Sequence, residues 1–239
     1  MEVVPIAVAI VAVLVVASFI LFRRRKKVRQ AFLIIDVQND FCPPFGSLAV
    51  NEGTAVIPII NRLRKLDWDL VVCTIDWHPS NHVSFASNNP GSTLFQPFRL
   101  PNGTDQMMWP NHCVQHSDGA KFHPDLETLP SDQKIYKGQH KEVDSYSGFY
   151  DNDHQTKTEL EKVLRSEGIT DVVLGGLAYD YCVGFSALDA KQAGFGVTVV
   201  EDATRGVAPE TTKAMRERLL SSGIKVVQSQ QIFKTMAKA

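Results

Sequence analysis

Short apolar runs alternate with helical spacings along most of the chain, and this alternation restricts the fold more than any other feature. Runs at 31–37 (AFLIIDV), 70–75 (LVVCTI), 134–136, 171–175, 196–200 and 224–228 predict strands. Between them, apolar residues recurring three and four apart predict helices over 55–66, 158–166, 180–193 and 210–221. The strand runs are apolar throughout rather than on every second residue, so each must be covered from two sides. Such alternation builds a mainly parallel sheet with helices on both faces, a three-layer α/β sandwich. The polar stretch 76–131, rich in Pro, Asn, Gly and Trp, breaks the pattern and predicts functional loops or small elements of its own.

Ligands of such folds collect at the carboxyl ends of the strands. Asp36 falls at the end of the first run, Asp76 after the second, Lys137 after the third and Cys182 after the fourth. Cys182 stands at a strand-to-helix bend in LGGLAYDYCVGF (174–185), where free backbone N–H groups and the helix dipole favour a thiolate. A lone cysteine is more often a small buried hydrophobe. Beside a carboxylate and a lysine it reads instead as a nucleophile with a base and a steadying cation. Asp36, in LIIDVQNDF, needs a partner to stay ionised in apolar surroundings, and Lys137 before Gly138 can provide it. Lys141 competes from a loop of other charges, and Asp40 reads as a turn or capping residue.

Asp76 and His78 stand two apart in DWHPSNH (76–82), so an extended backbone points both to one face. With nitrogen from His82 and from His112 in WPNHCVQ (109–115), they form a donor set for a divalent transition metal; the alternative is a loop of solvated histidines. Cys113 points away from His112 if that segment is extended. Trp109 offers a flat apolar platform beside the histidine.

At 239 residues and 44% hydrophobic, the chain suits one core plus an appendage. Residues 3–22 carry no charge and are followed by Arg23, Arg24, Arg25, Lys26, Lys27 and Arg29, which predicts one transmembrane helix within an anchor of residues 1–29. The predicted placement is a single-pass membrane protein, with a domain of residues 30–239 facing the cytosol. That domain holds 19 basic against 25 acidic side chains, a net charge of −6, and has no electrostatic footprint for nucleic acid. Cys42, Cys73, Cys113 and Cys182 include no C-x-x-C pair and are expected to be reduced thiols. A homo-oligomer is left open.

Taken in order, DVQNDF, DWHPSNHVSF, WPNHCVQ, YKG…DSYSGF and GLAYDYCVGFSALDA resemble the nicotinamidases of the isochorismatase-like cysteine hydrolases, a likeness that spans residues 30–230. The resemblance implies Asp36 as catalytic base, Lys137 as its partner and Cys182 as nucleophile. It implies Asp76, His78 and His112 as ligands of one divalent ion, zinc or iron, with His82 close by as a further candidate. The implied substrate is nicotinamide, its ring nitrogen toward the metal or a metal-bound water and its ring among aromatics such as Phe41 and Trp109. The implied reaction, in NAD salvage, runs through a thioester to nicotinate and ammonia. The backbone N–H groups of Ala178 and Cys182 would hold the oxyanion, at a cis Leu177–Ala178 peptide. Tyr179, where many relatives have Thr, is expected at the pocket rim, and the anchor is not a family feature. Two other readings stand beside this one: another small-amide hydrolase of the superfamily, and a non-catalytic membrane-tethered scaffold. The intact Asp36, Lys137 and Cys182 weigh against the scaffold.

Overall fold

The computed structural model describes residues 28–237. The membrane helix expected over 3–22 lies outside the described residues. Among the described residues no helix is long and apolar enough to cross a membrane. The single-pass membrane placement, with its cytosol-facing domain, is therefore corrected: no described element carries it.

Six strands form one sheet: β1 (Gln30–Ile35), β2 (Leu70–Asp76), β5 (Gln133–Lys137), β6 (Asp171–Leu177), β7 (Gly196–Arg205) and β8 (Lys225–Val227). Their order is β5-β2-β1-β6-β7-β8, and every pairing is parallel. The apolar runs follow from this arrangement. In β1, Ala31, Leu33 and Ile35 face one layer of helices, and Phe32 and Ile34 face the other. The first layer is α2 (Leu160–Ser166), α3 (Gly184–Gln192) and α4 (Pro209–Ser221), which bury Leu160 and Leu164, Ala187 and Ala190, and Met215 and Leu219. The second is α1 (Ile57–Leu63), burying Ile57, Ile60 and Leu63, with Ile232 and Phe233 of α5 (Ser229–Met236) packed beside it. Each of the leucine, isoleucine and methionine side chains contributes roughly 1.5–3 kcal/mol on burial. The sandwich expected from the alternation is the fold observed.

Several elements depart from expectation. The helix expected over 180–193 begins as a π-helical turn, Tyr179–Val183, before α3. The polar stretch contains a two-stranded antiparallel hairpin, β3 (Pro97–Arg99) with β4 (Asp105–Met107). α5 was not expected at all. Tyr179, expected at the pocket rim, packs into the core against the first helical layer.

Chain order places β2 and β5 on one side of β1 and β6, β7 and β8 on the other, so the direction of winding reverses between β1 and β6. A crevice opens at such a switch point, at the carboxyl ends of the strands. Here the strands approach so closely that a Cβ on Gly176, at φ 127°, would lie 2.0 Å from the Ile35 carbonyl oxygen. Glycine is required at that approach.

Candidate active site

Asp36, Asp76, Lys137 and Cys182 all end or follow strands at this switch point, and the fold brings them together. β1 stops at Ile35, and Asp36 adopts a left-handed φ of 47°, turning its side chain into the crevice. Thr74 donates its hydroxyl to Asp36 Oδ1 at 2.6 Å and accepts the Asp36 N–H at 3.1 Å, so β2 fixes the carboxylate. Gln38 locks the two strand ends: it accepts the Asp76 N–H and donates to the Asp76 carbonyl, both at 2.8 Å.

Lys137 is 1% exposed. Its ammonium donates to Asp76 Oδ1 at 3.0 Å and to the Ser145 carbonyl at 2.9 Å, and it stands 3.0 Å from Asp36 Oδ2 and 3.4 Å from Cys182 Sγ. Three protons thus face four acceptors. Asp36 Oδ2 has the ion pair but no well-directed hydrogen bond, which leaves it free to take a proton. Removing one member of such a buried pair strands a charge, at a cost of roughly 3–5 kcal/mol.

Burial pushes the Asp36 carboxyl above its ordinary value, and Lys137 offsets only part of this. Burial also pushes the Cys182 thiol well up; Lys137 pulls it down, while Asp36 and Asp76 oppose that pull. Desolvation therefore opposes the thiolate that the helix start favours. Lys137 is held well above the usual lysine value: burial alone would lower it, but Asp36 and Asp76 outweigh burial.

Next to this corner lies a second one. Asp76 Oδ2 is 2.9 Å from His78 Nε2 and 3.4 Å from His112 Nε2. Each histidine turns Nδ1 to a backbone carbonyl, His78 to Gly138 and His112 to Pro110, both at 2.8 Å. A carbonyl only accepts, so Nδ1 carries the proton and Nε2 is the nitrogen presented to Asp76. The three ligand atoms lie within 4.8 Å of one another, all on buried residues. One carboxylate and two such imidazoles fit a divalent transition metal with positions left open. Gly138 makes the room, since a Cβ there would lie 2.4 Å from the His78 ring. Burial alone would raise Asp76, but His78 and Lys137 hold it well below the carboxylate range.

His82 stands apart from that trio. It stacks on His78 at 4.0 Å, with Nδ1 on the Ser84 hydroxyl and Nε2 on the Val143 carbonyl. It groups with His78 and Asp144 instead. Burial, then the charge of His78, lowers it to about 4.

A cavity of about 390 Å³, its open mouth included, leads to Cys182. Phe41, Trp109 and Ala178 line it, together with Asp76 and His112 of the candidate metal site. Sequence reasoning missed Tyr146, Tyr181, Leu48 and Val207 in the walls. It also missed the part played by Asp40, which accepts the Cys113 N–H at 2.7 Å and ties the Phe41 turn to the His112 segment. The available signals were the position of Tyr146 in DSYSGF and of Tyr181 beside Cys182. Lys141 is exposed beside Glu142, and Leu177–Ala178 is cis. The four cysteines are free and buried.

The chain matches the Isochorismatase domain over residues 30–231. The nicotinamidase of Escherichia coli (strain K12) is 45% identical over 183 residues, covering 74% of this chain and 84% of that protein. A solved Acinetobacter baumanii nicotinamidase and pyrazinamidase superposes with a TM-score of 0.81 at 40% identity, covering 87% of this chain and 100% of that one. A Pyrococcus horikoshii pyrazinamidase solved in complex with zinc superposes at 0.69 with 36% identity, covering 84% and 99%. This chain belongs to the isochorismatase family. Within the family it stands with the nicotinamidases, as a hydrolase acting on an amide. The family match begins at residue 30, and the whole Acinetobacter chain is covered by 87% of this one, so the relatives lend no support to the membrane placement.

Proposed function

We propose that this chain hydrolyses nicotinamide to nicotinate and ammonia through a thioester on Cys182, as a step of NAD salvage, with residues 30–239 as the hydrolase domain. The observation that carries the reading is the buried Lys137 ammonium, 3.0 Å from Asp36 and 3.4 Å from Cys182, which itself lines an aromatic cavity.

The resting pair is a thiol and a carboxylate. Asp36 takes the Cys182 proton as Sγ attacks the carboxamide carbon, so a thiolate develops only beside the Lys137 ammonium. The backbone N–H groups of Ala178 and Cys182 receive the oxyanion. Asp36 returns the proton to the nitrogen, the C–N bond breaks, and ammonia leaves. Water then attacks the thioester, giving one proton to Asp36; the C–S bond breaks and Asp36 restores the thiol. Lys137 remains protonated throughout, orienting Asp36 and offsetting its charge. Phe41 and Trp109 hold the ring. Asp76, His78 and His112 would hold one zinc or iron ion, with His82 stacked behind His78; when bound, the ion supplies a Lewis-acidic docking point for the ring nitrogen.

The test is ammonia release from nicotinamide by purified protein. Turnover is expected in the wild type and none in Cys182→Ala, with the fold retained. Substantial turnover in Cys182→Ala would overturn the nucleophile.

A further inference from the structure

Of the four acceptors around the Lys137 ammonium, the Ser145 carbonyl alone belongs to the backbone, and it takes one of the three protons at 2.9 Å. The chain around Ser145 lies in no helix or strand, so local contacts must fix that carbonyl. Ser145 donates its N–H to Asp144 Oδ1 at 2.8 Å. The Asp144 carbonyl accepts the Asn152 N–H at 2.7 Å, and the Tyr146 N–H donates to Asn152 Oδ1 at 2.9 Å. Asn152 thus grips the chain on both sides of Ser145. The peptide unit between Ser145 and Tyr146 is held at both polar ends, its oxygen by Lys137 and its N–H by Asn152. The Ser145 hydroxyl contacts the Ser147 and Tyr150 carbonyls at 3.3 and 3.2 Å, so losing the Asn152 side-chain contact frees the peptide plane without releasing the residue. Asn152 itself is exposed, in a turn closed by an antiparallel bridge between Tyr150 and Lys157, and does not line the cavity that reaches Cys182.

We propose that Asn152 is a positioning residue for the transfer of the Cys182 proton to Asp36. Through the Tyr146 N–H it fixes the plane of the Ser145–Tyr146 peptide, and with it the direction of the Ser145 carbonyl. That carbonyl keeps one ammonium proton away from Asp36 Oδ2, which stands 3.0 Å from Lys137 with no well-directed hydrogen bond. The inference rests on the reading of Asp36 as the base for Cys182. If the peptide turns, the ammonium loses an acceptor, and the proton set free has Asp36 Oδ2 within reach. A hydrogen bond there favours the carboxylate over its protonated form and makes it a weaker base. The thiol then gives up its proton less readily.

The experiment sets Asn152→Ala, which removes the acceptor, against Asn152→Asp, which keeps one. With nicotinamide as substrate, kcat should fall about tenfold in Asn152→Ala, while KM and metal content change little. Asn152→Asp should bring kcat back to within about threefold of the wild type. Alkylation of Cys182 by iodoacetamide, followed by mass spectrometry of the peptide that carries it, reads the same proton transfer without any substrate. It should slow by a similar factor in Asn152→Ala and recover in Asn152→Asp. A kcat in Asn152→Ala within about threefold of the wild type would overturn the positioning role, as would a defect that Asn152→Asp does not repair. A rise in KM or a loss of metal in place of the fall in kcat would mark a merely structural effect and overturn it too. Alkylation slowed in Asn152→Ala, in a protein whose wild type does not hydrolyse nicotinamide, would overturn the catalytic reading and support the positioning role. Alkylation at the wild-type rate in Asn152→Ala would overturn the positioning role whatever the turnover.

Discussion

Asp36 and Asp76 stand at the ends of adjacent parallel strands and face the same Lys137 ammonium at the same 3.0 Å, yet their carboxyl groups are driven in opposite directions. Asp36 is raised because burial outweighs the one cation beside it. Asp76 is lowered because His78 joins Lys137 against an equally severe burial. The imidazoles of His78 and His112, which face Asp76 and not Asp36, divide the labour of the site. A carboxylate with a raised value can accept and return a proton, whereas one held down stays anionic and suits a cation. The two strands therefore deliver one proton-transfer group and one ligand from the same residue type.

Substitution can break this comparison at either end. The largest effect is expected from Asp36→Asn, which keeps the shape and removes the proton acceptor. Its kcat/KM for amide hydrolysis should fall on the order of 10⁴-fold, with metal content by atomic absorption unchanged. Loss of metal together with activity would merge the two corners into one. Asp76→Asn should behave in the opposite sense: metal affinity falls by at least about 10–100-fold, and excess zinc or iron restores part of the activity. A defect that added metal does not touch would remove Asp76 from the ligand set. Thr74→Val sharpens the comparison with a smaller effect. It deletes the 2.6 Å hydrogen bond that favours the Asp36 anion, so the already raised carboxyl rises further. Asp36 must be ionised to accept the thiol proton, and activity is lost as pH falls through its value. The acid limb of kcat/KM should therefore move to higher pH by about one unit, with little change on the plateau. A shift to lower pH would contradict the assignment.

The sequence made the meeting of these residues at the strand ends legible, and the family resemblance implied their roles, but the depth at which each group is buried was not legible. Asp36, Asp76, Lys137 and Cys182 could be placed together because a parallel sheet fixes where its strand ends lie. The upward push on the Cys182 thiol could not be read, since it depends on how deeply the π-helical turn Tyr179–Val183 buries the thiol. The spacing of DWHPSNH correctly puts His78 beside Asp76. It says nothing of Ser84 and the Val143 carbonyl, which engage both nitrogens of His82. Tyr146, Tyr181, Leu48 and Val207 come from four separate segments, and only the folded crossovers bring them to one wall. Tyr179 escaped for the converse reason: one residue past the Ala178 bend, its ring is turned to the core. The shortness of α5, eight residues, hid it, although Ile232 and Phe233 give it a packing face.

The most direct measurement is rapid-quench mass spectrometry of the wild type during turnover of nicotinamide. The account predicts a nicotinoyl group on the peptide bearing Cys182, removable by hydroxylamine as a thioester should be, with Cys42, Cys73 and Cys113 unlabelled. An acyl label confined to another residue, or a full first turnover during which Cys182 is never acylated, would contradict it.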